Sequence, residues 1–218
     1  MYSVFKNRQE AGNFLAKELQ KYKDLSDVIV VGLPRGGVVT AYEIATNLNL
    51  PLDITCPRKI CAPYNPELVV GAITETGTCV FNDTLIERLD VSQEYLSRKI
   101  NEEKREAEYR LKTYRKSLPP RDLKDKIVIV VDDGLATGAT MEAAINSLIA
   151  EKAAQIIVAV PASSLDTFNT IKAQVDDIIC LSTPEPFYAI ERFYEDFSQA
   201  SEAEVMDFLQ KSVLNTTT

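Results

Sequence analysis

Apolar positions along this chain follow two rhythms, and the switching between them outlines a fold. Residues 7–22 set Ala11, Phe14, Leu15 and Leu19 at helical spacing and predict an amphipathic helix. A β-branched run at 27–32 predicts a buried strand, followed by a helix at 38–48 and a strand at 52–59. That order is a βαβ unit, parallel and right-handed. A proline-rich loop at 62–68 leads to short strands at 69–74 and 78–81. Residues 92–115 form a long helical pattern with a narrow apolar stripe, Leu96, Ile100, Ala107, Leu111 and Tyr114. Its other faces carry pairs such as Glu94–Arg98 and Glu106–Arg110, a solvated surface. Beyond Pro119-Pro120 the rhythm resumes, with strands at 126–132, 155–160 and 177–180 and helices at 139–152, 165–174 and 202–214. A frayed tail is expected at 215–218. The pattern predicts an α/β fold, residues 1–218 as a single domain, with a mainly parallel, doubly wound sheet covered by helices on both faces. Ligands of such sheets bind at the carboxyl ends of the strands.

The segment 126–140 carries the most chemistry. Its apolar run ends in adjacent carboxylates, Asp132 and Asp133, and a loop of small residues, Ala136, Thr137, Gly138, Ala139 and Thr140, opens directly into a helix. Backbone N–H groups at a helix start, in a loop small enough to admit an anion, make a phosphate cradle. The nearby acids cannot bind that phosphate, but they can hold hydroxyls or a magnesium ion. A phosphate beside a diol describes a ribose 5-phosphate. A second glycine-bearing loop, Gly32-Leu-Pro-Arg-Gly-Gly37, follows the first strand, and its spacing is not the dinucleotide fingerprint. No Gly-Lys-Ser/Thr follows either loop, so neither is a P-loop.

Asp-Asp-x-x-x-Thr-Gly-x-Thr after an apolar strand resembles the fingerprint of type I phosphoribosyltransferases, which use phosphoribosyl pyrophosphate (PRPP). The resemblance implies that Asp132 and Asp133 contact the ribose hydroxyls and magnesium, directly or through water, and that residues 136–140 bind the 5-phosphate. Arg35, Gly36 and Gly37 match the family's pyrophosphate loop, which predicts a cis peptide at Pro34–Arg35. Residues 57–77 are similar to the mobile catalytic loop of adenine-type members. There Arg58 and Lys59 would face pyrophosphate and Glu75 would serve as acid or base. Residues 183–200 resemble the base-binding hood, with Phe187 and then Tyr188 as stacking partners. A solvated strand end is the plain alternative for Glu75, and core packing the plain alternative for the two rings. Members acting on 6-oxopurines carry an acid where this chain has Ala136, which leans the acceptor towards adenine-like bases. Residues 83–118 would be a helical insertion. The implied activity is transfer of ribose 5-phosphate from PRPP to a purine-like base with release of pyrophosphate, a pentosyltransferase reaction of nucleotide salvage. A homodimer is consistent with the family.

Composition narrows the choice. The net charge is −8, with 32 acids against 24 bases, whereas a nucleic-acid binder needs a basic footprint. The absence of histidine removes Ser-His hydrolases and His-ligated zinc sites. Four cysteines without a Cys-x-x-Cys pair, no secretory segment and no long apolar run lead to the expectation of a cytoplasmic protein with reduced thiols and no membrane span. Two alternatives stay open. A regulator that senses PRPP or nucleotides on the same fold would need neither pyrophosphate loop nor catalytic lid. A hydrolase using the acid pair and magnesium lacks a recognisable nucleophile.

Overall fold

The computed structural model describes residues 5–215. The central sheet is parallel, with β1 (Val28–Gly32), β2 (Leu52–Ile54), β6 (Ile127–Val131), β7 (Gln155–Ala162) and β8 (Asp177–Ser182) in the order β2-β1-β6-β7-β8. Successive residues of a strand point to opposite faces, so the β-branched runs feed two cores at once. Val28, Val30, Ile129 and Val131 pack with Leu15, Ile44, Leu48 and Leu209 of α1 (Arg8–Glu18), α2 (Gly36–Leu48) and α7 (Glu202–Asn215). Val128, Val130, Val158 and Val160 pack instead with Met141, Ile145, Leu148 and Ile171 of α5 (Ala139–Ala150) and α6 (Leu165–Lys172). The sheet is thus doubly wound, as the alternating pattern predicts.

The chain leaves β1 in one direction to reach β2, then returns past it to pair β6 with β1 in full register from Val28↔Ile127 to Gly32↔Val131. This reversal puts the loops after β1 and β6 side by side, the crevice where such sheets bind ligands. Between β2 and β6 lies a second, antiparallel sheet, β3 (Arg58–Ala62), β4 (Asn65–Ile73) and β5 (Cys79–Phe81), followed by α3 (Asp83–Arg88) and α4 (Gln93–Tyr114).

Several expectations are corrected. The strand at 52–59 is two strands in two sheets, because Pro57 has no N–H for a ladder and breaks the run. The loop at 62–68 is a tight turn at Pro63-Tyr64, with Tyr64 at φ +63°, and β4 already begins at Asn65. Helix α3, capped by the Asn82 side chain on the Leu85 N–H, is too short to show a period. Phe14 is 42% exposed rather than core, while Arg8 and Gly12 share the buried face of α1 with Ala11 and Leu15. On α4, Ser92 caps the start, Arg98 pairs with Glu102 instead of Glu94, and Glu106 pairs with Arg110 at 2.6 Å as expected. The expected tail beyond Asn215 lies outside the described residues. Among those residues no helix is long and apolar enough to cross a membrane.

Candidate active site

Strand β6 runs from the core straight into Asp132 and Asp133, and Gly138, at φ +78°, turns the chain into α5. No side chain caps this helix, so its leading N–H groups stay available to an anion. The hydroxyl of Thr167 donates to the Ala136 carbonyl at 2.6 Å, and a Cβ on Gly138 would come within 2.9 Å of the Thr167 methyl. Helix α6 therefore floors the loop and holds a carbonyl down, while Ala136 and Thr137 face solvent above it.

The two acids are not equivalent. Asp132 accepts the N–H of Asp133 at 2.9 Å, and burial, reinforced by the charge of Asp133, raises its pKa well above the usual carboxylate range; Lys59 opposes this. Asp133 is paired. The Nε of Arg8 donates to its Oδ2 at 2.7 Å, and both side chains are nearly buried. Arg8 also donates to the Ser198 carbonyl at 2.8 Å and lies 3.9 Å from the Phe197 ring centre. The Tyr194 hydroxyl donates to the Asp133 carbonyl at 2.7 Å. Sequence reasoning missed Arg8. The available signal was a cation at the head of an apolar helical stripe, three and seven residues before Ala11 and Leu15.

The loop after β1 closes over this pair. Its Pro34–Arg35 peptide is cis, as expected. A Cβ on Gly36 would overlap the Asp133 carboxylate and sit 2.6 Å from Arg8 Nε, and one on Gly37 would sit 2.8 Å from Asp132 Cα. Glycine is needed at both positions for close approach. Opposite, β3 brings Arg58 and Lys59. Together with Asp132, Asp133, Glu103 of α4 and the loop residues Ala136, Thr137, Gly138 and Thr140, they enclose a cavity of about 440 Å³. One hollow thus joins an anion cradle, three carboxylates and two cations.

The phosphoribosyl transferase domain, as a family model, matches residues 3–198. The chain belongs to this family. It is similar to two Mycobacterium tuberculosis proteins from strains H37Rv and CDC 1551, named "Putative phosphoribosyl transferase" Rv0571c and MT0597. Each is 35% identical over 209 residues, covering 96% of this chain and 47% of the relative. The chain thus spans about half the length of these curated relatives. The crystal structure of TT1426 from Thermus thermophilus is similar throughout, at 36% identity and TM-score 0.81, covering 95% of this chain and 98% of that one.

Not every residue assigned from the phosphoribosyltransferase resemblance reaches the cavity. Arg35 is half-buried and does not line the hollow, which Pro34 does in its place. Phe187 stacks on Phe193 at 5.4 Å within an aromatic cluster, and Tyr188, 67% exposed, lies under Arg192. From the segment 183–200 it is Ile190, packed against Gly134, that lines the cavity. Glu75 is buried elsewhere. It accepts from Thr55 Oγ1 at 2.9 Å and from the Cys56 N–H at 3.1 Å, and pairs with Arg121 at 3.4 Å. Arg121 in turn grips Glu151, the residue at the C-cap of α5, at 2.8 Å. This network ties the antiparallel sheet to the central one. Accordingly, Glu75→Ala should cost about 3 kcal/mol, the scale of buried donors left without an acceptor. Urea denaturation checks this, and donor binding by the folded fraction should stay within about twofold, a small free-energy change. A stable variant without turnover would instead put Glu75 in the chemistry.

Proposed function

We propose that this protein transfers the 5-phosphoribosyl group of PRPP to a ring nitrogen of a nucleobase-like acceptor and releases pyrophosphate. The observation that carries the reading is the convergence, in one cavity, of the open helix start at 136–140, the acid pair and the cations Arg58 and Lys59. The cradle would hold the 5-phosphate, Asp132 and Asp133 the ribose hydroxyls, and the cations, with the amides of Gly36 and Gly37, the pyrophosphate. The acceptor nitrogen donates its lone pair to C1 as the C1–O bond breaks, and that bonding pair departs with pyrophosphate. Charge builds on the departing group, so fixed cations and amides stabilise the transition state more than the ground state. No covalent nucleophile is required, which suits a chain without histidine. Ile190 would give the acceptor an apolar wall, and Ala136 in place of an acid favours an adenine-like ring.

Among the described residues no three His, Cys, Asp or Glu side chains converge on a metal position. That donor set suits magnesium, which takes most of its oxygens from phosphates and water and needs only one or two carboxylates. Asp132 and Asp133 would hold it, directly or through water, and it would supply neutralising charge for pyrophosphate.

Titration calorimetry with PRPP and magnesium tests the proposal. The wild type should bind in the micromolar range, and Asp132→Asn/Asp133→Asn should lose binding; a wild type that takes up no PRPP would refute the donor site. Asp132→Asn alone has a second readout. Because its pKa is raised in the folded state, Asp132 gives up its proton at a higher pH there than in the unfolded chain, so the stability present below the unfolded pKa is lost as pH rises. Asparagine carries no such charge. The single variant should therefore melt higher than wild type at about pH 8 without ligand, and the difference should vanish below about pH 4, where aspartate is protonated in both states.

A further inference from the structure

We infer that Glu103 is a positioning residue for Arg58: it grips the guanidinium by Nε and presents the two terminal nitrogens to the pyrophosphate end of the donor. The inference rests on the donor site proposed above and gives the long helix α4 a task in it.

Three observations converge on Glu103. The first is its place on the helix. Leu96, Ile100, Glu103 and Ala107 fall at successive spacings of four, three and four residues, one face of α4. Leu96 and Ala107 are buried on that face, and Leu96 and Ile100 pack with Ile60 of β3. A carboxylate in the middle of such a stripe costs solvation unless a partner meets it. The partner is Arg58, whose Nε lies 2.9 Å from Glu103 Oε2.

The second is the way α4 is fastened to β3. The Tyr95 hydroxyl donates to the Cys61 carbonyl at 2.9 Å, and Glu103 meets Arg58. From Tyr95 to Glu103 the helix rises about 12 Å; from Cys61 back to Arg58 the strand spans about 10 Å. Two attachments at matching separations hold helix and strand antiparallel, and the second lies in the wall of the cavity.

The third is which nitrogen is used. Glu103 engages Nε, and among the described residues the terminal nitrogens of Arg58 make no hydrogen bond. A guanidinium held this way keeps the fork that matches two phosphate oxygens. The pair is roughly a fifth to a third exposed, so it contributes little to folding stability. Its effect belongs in binding.

The test measures binding of inorganic pyrophosphate with magnesium, and separately of ribose 5-phosphate, to wild type, Arg58→Ala, Glu103→Ala, Glu103→Gln and the double alanine variant. Glu103→Ala should weaken pyrophosphate about five- to tenfold, the scale of one oriented charge-assisted contact. Ribose 5-phosphate, which lacks the pyrophosphate, should bind as before. The double variant should bind pyrophosphate no more weakly than Arg58→Ala. Glu103→Gln should recover part of the loss, because its amide oxygen still accepts from Nε; it also serves if the alanine variant does not fold. Unchanged or tighter pyrophosphate binding in Glu103→Ala would overturn the inference, the latter by making Glu103 a repulsive plug. So would additive losses in the double variant, or an equal loss of both ligands. A wild type that binds neither ligand overturns the donor site itself and this inference with it.

Discussion

An Asp133→Ala variant should lose turnover and about 3–5 kcal/mol of stability together, because the change strands a buried guanidinium. Arg8 is nearly enclosed, with Phe197 over its face and Ser198 accepting from Nη1, and Asp133 is the carboxylate that balances its charge. Against a total of about 5–15 kcal/mol for an ordinary domain, that loss is large. It also has a diagnostic remedy. Arg8→Met fills the same channel without charge, so Asp133→Ala/Arg8→Met should regain most of the stability, since exchanging a whole buried pair for apolar groups is often close to neutral. Donor binding should not return, because the carboxylate proposed to hold the ribose hydroxyls is still missing. Urea denaturation of the wild type, both single variants and the double variant, with PRPP titration of each, separates the two effects. An Asp133→Ala protein as stable as wild type would show that the pair contributes nothing to the fold.

Gly36→Ala should be nearly as damaging, from one added methyl group. That carbon would overlap the Asp133 carboxylate and crowd Arg8 Nε. Neither can step aside easily, since each is fixed by further hydrogen bonds, Asp133 through its own carbonyl to Tyr194 and Arg8 to Ser198. Either the loop lifts or the pair parts. Overpacking of this kind costs about 1–3 kcal/mol. PRPP affinity should fall about a hundredfold, as expected when roughly 2.8 kcal/mol of positioned contacts is lost. Calorimetry and a thermal melt check both numbers. Normal binding by Gly36→Ala would show that the Arg8–Asp133 contact yields without consequence.

What the sequence disclosed was what it holds contiguously. Strand β6, the acid pair, the small-residue loop and the start of α5 follow one another without interruption, and each step is a local rule. The glycine pair after β1 was legible for the same reason. Arg8 was not, because its partner lies 125 positions away and nothing near Asn7 announces a carboxylate. Arg8 and Glu103 share one signature, a charge set in an apolar stripe, which asks for a buried partner but does not name it. Glu75 was placed by resemblance at the end of a strand, yet the direction of a strand-end side chain depends on what packs there. Thr55, Cys56 and Arg121 turn it inward. Phe187 and Tyr188 follow similar logic, one ring drawn into an aromatic cluster and the other left outside. The break at Pro57 could have been read, since a proline inside a strand pattern argues against a single strand.

The pairing of β1 with β6 also has a kinetic side. The cleft exists only where these strands lie side by side, and the whole antiparallel sheet and helices α3 and α4 lie between Gly32 and Ile127 in the chain. Closing so long an excursion is an entropic expense met before the contact returns anything, which places this pairing among the slow events of folding. A ligand that bridges the two loops finds its site only in molecules already past that barrier. It slows their departure from the native state and leaves the rate of arrival unchanged. The supply of donor would govern how long each molecule lasts, not how quickly it is made.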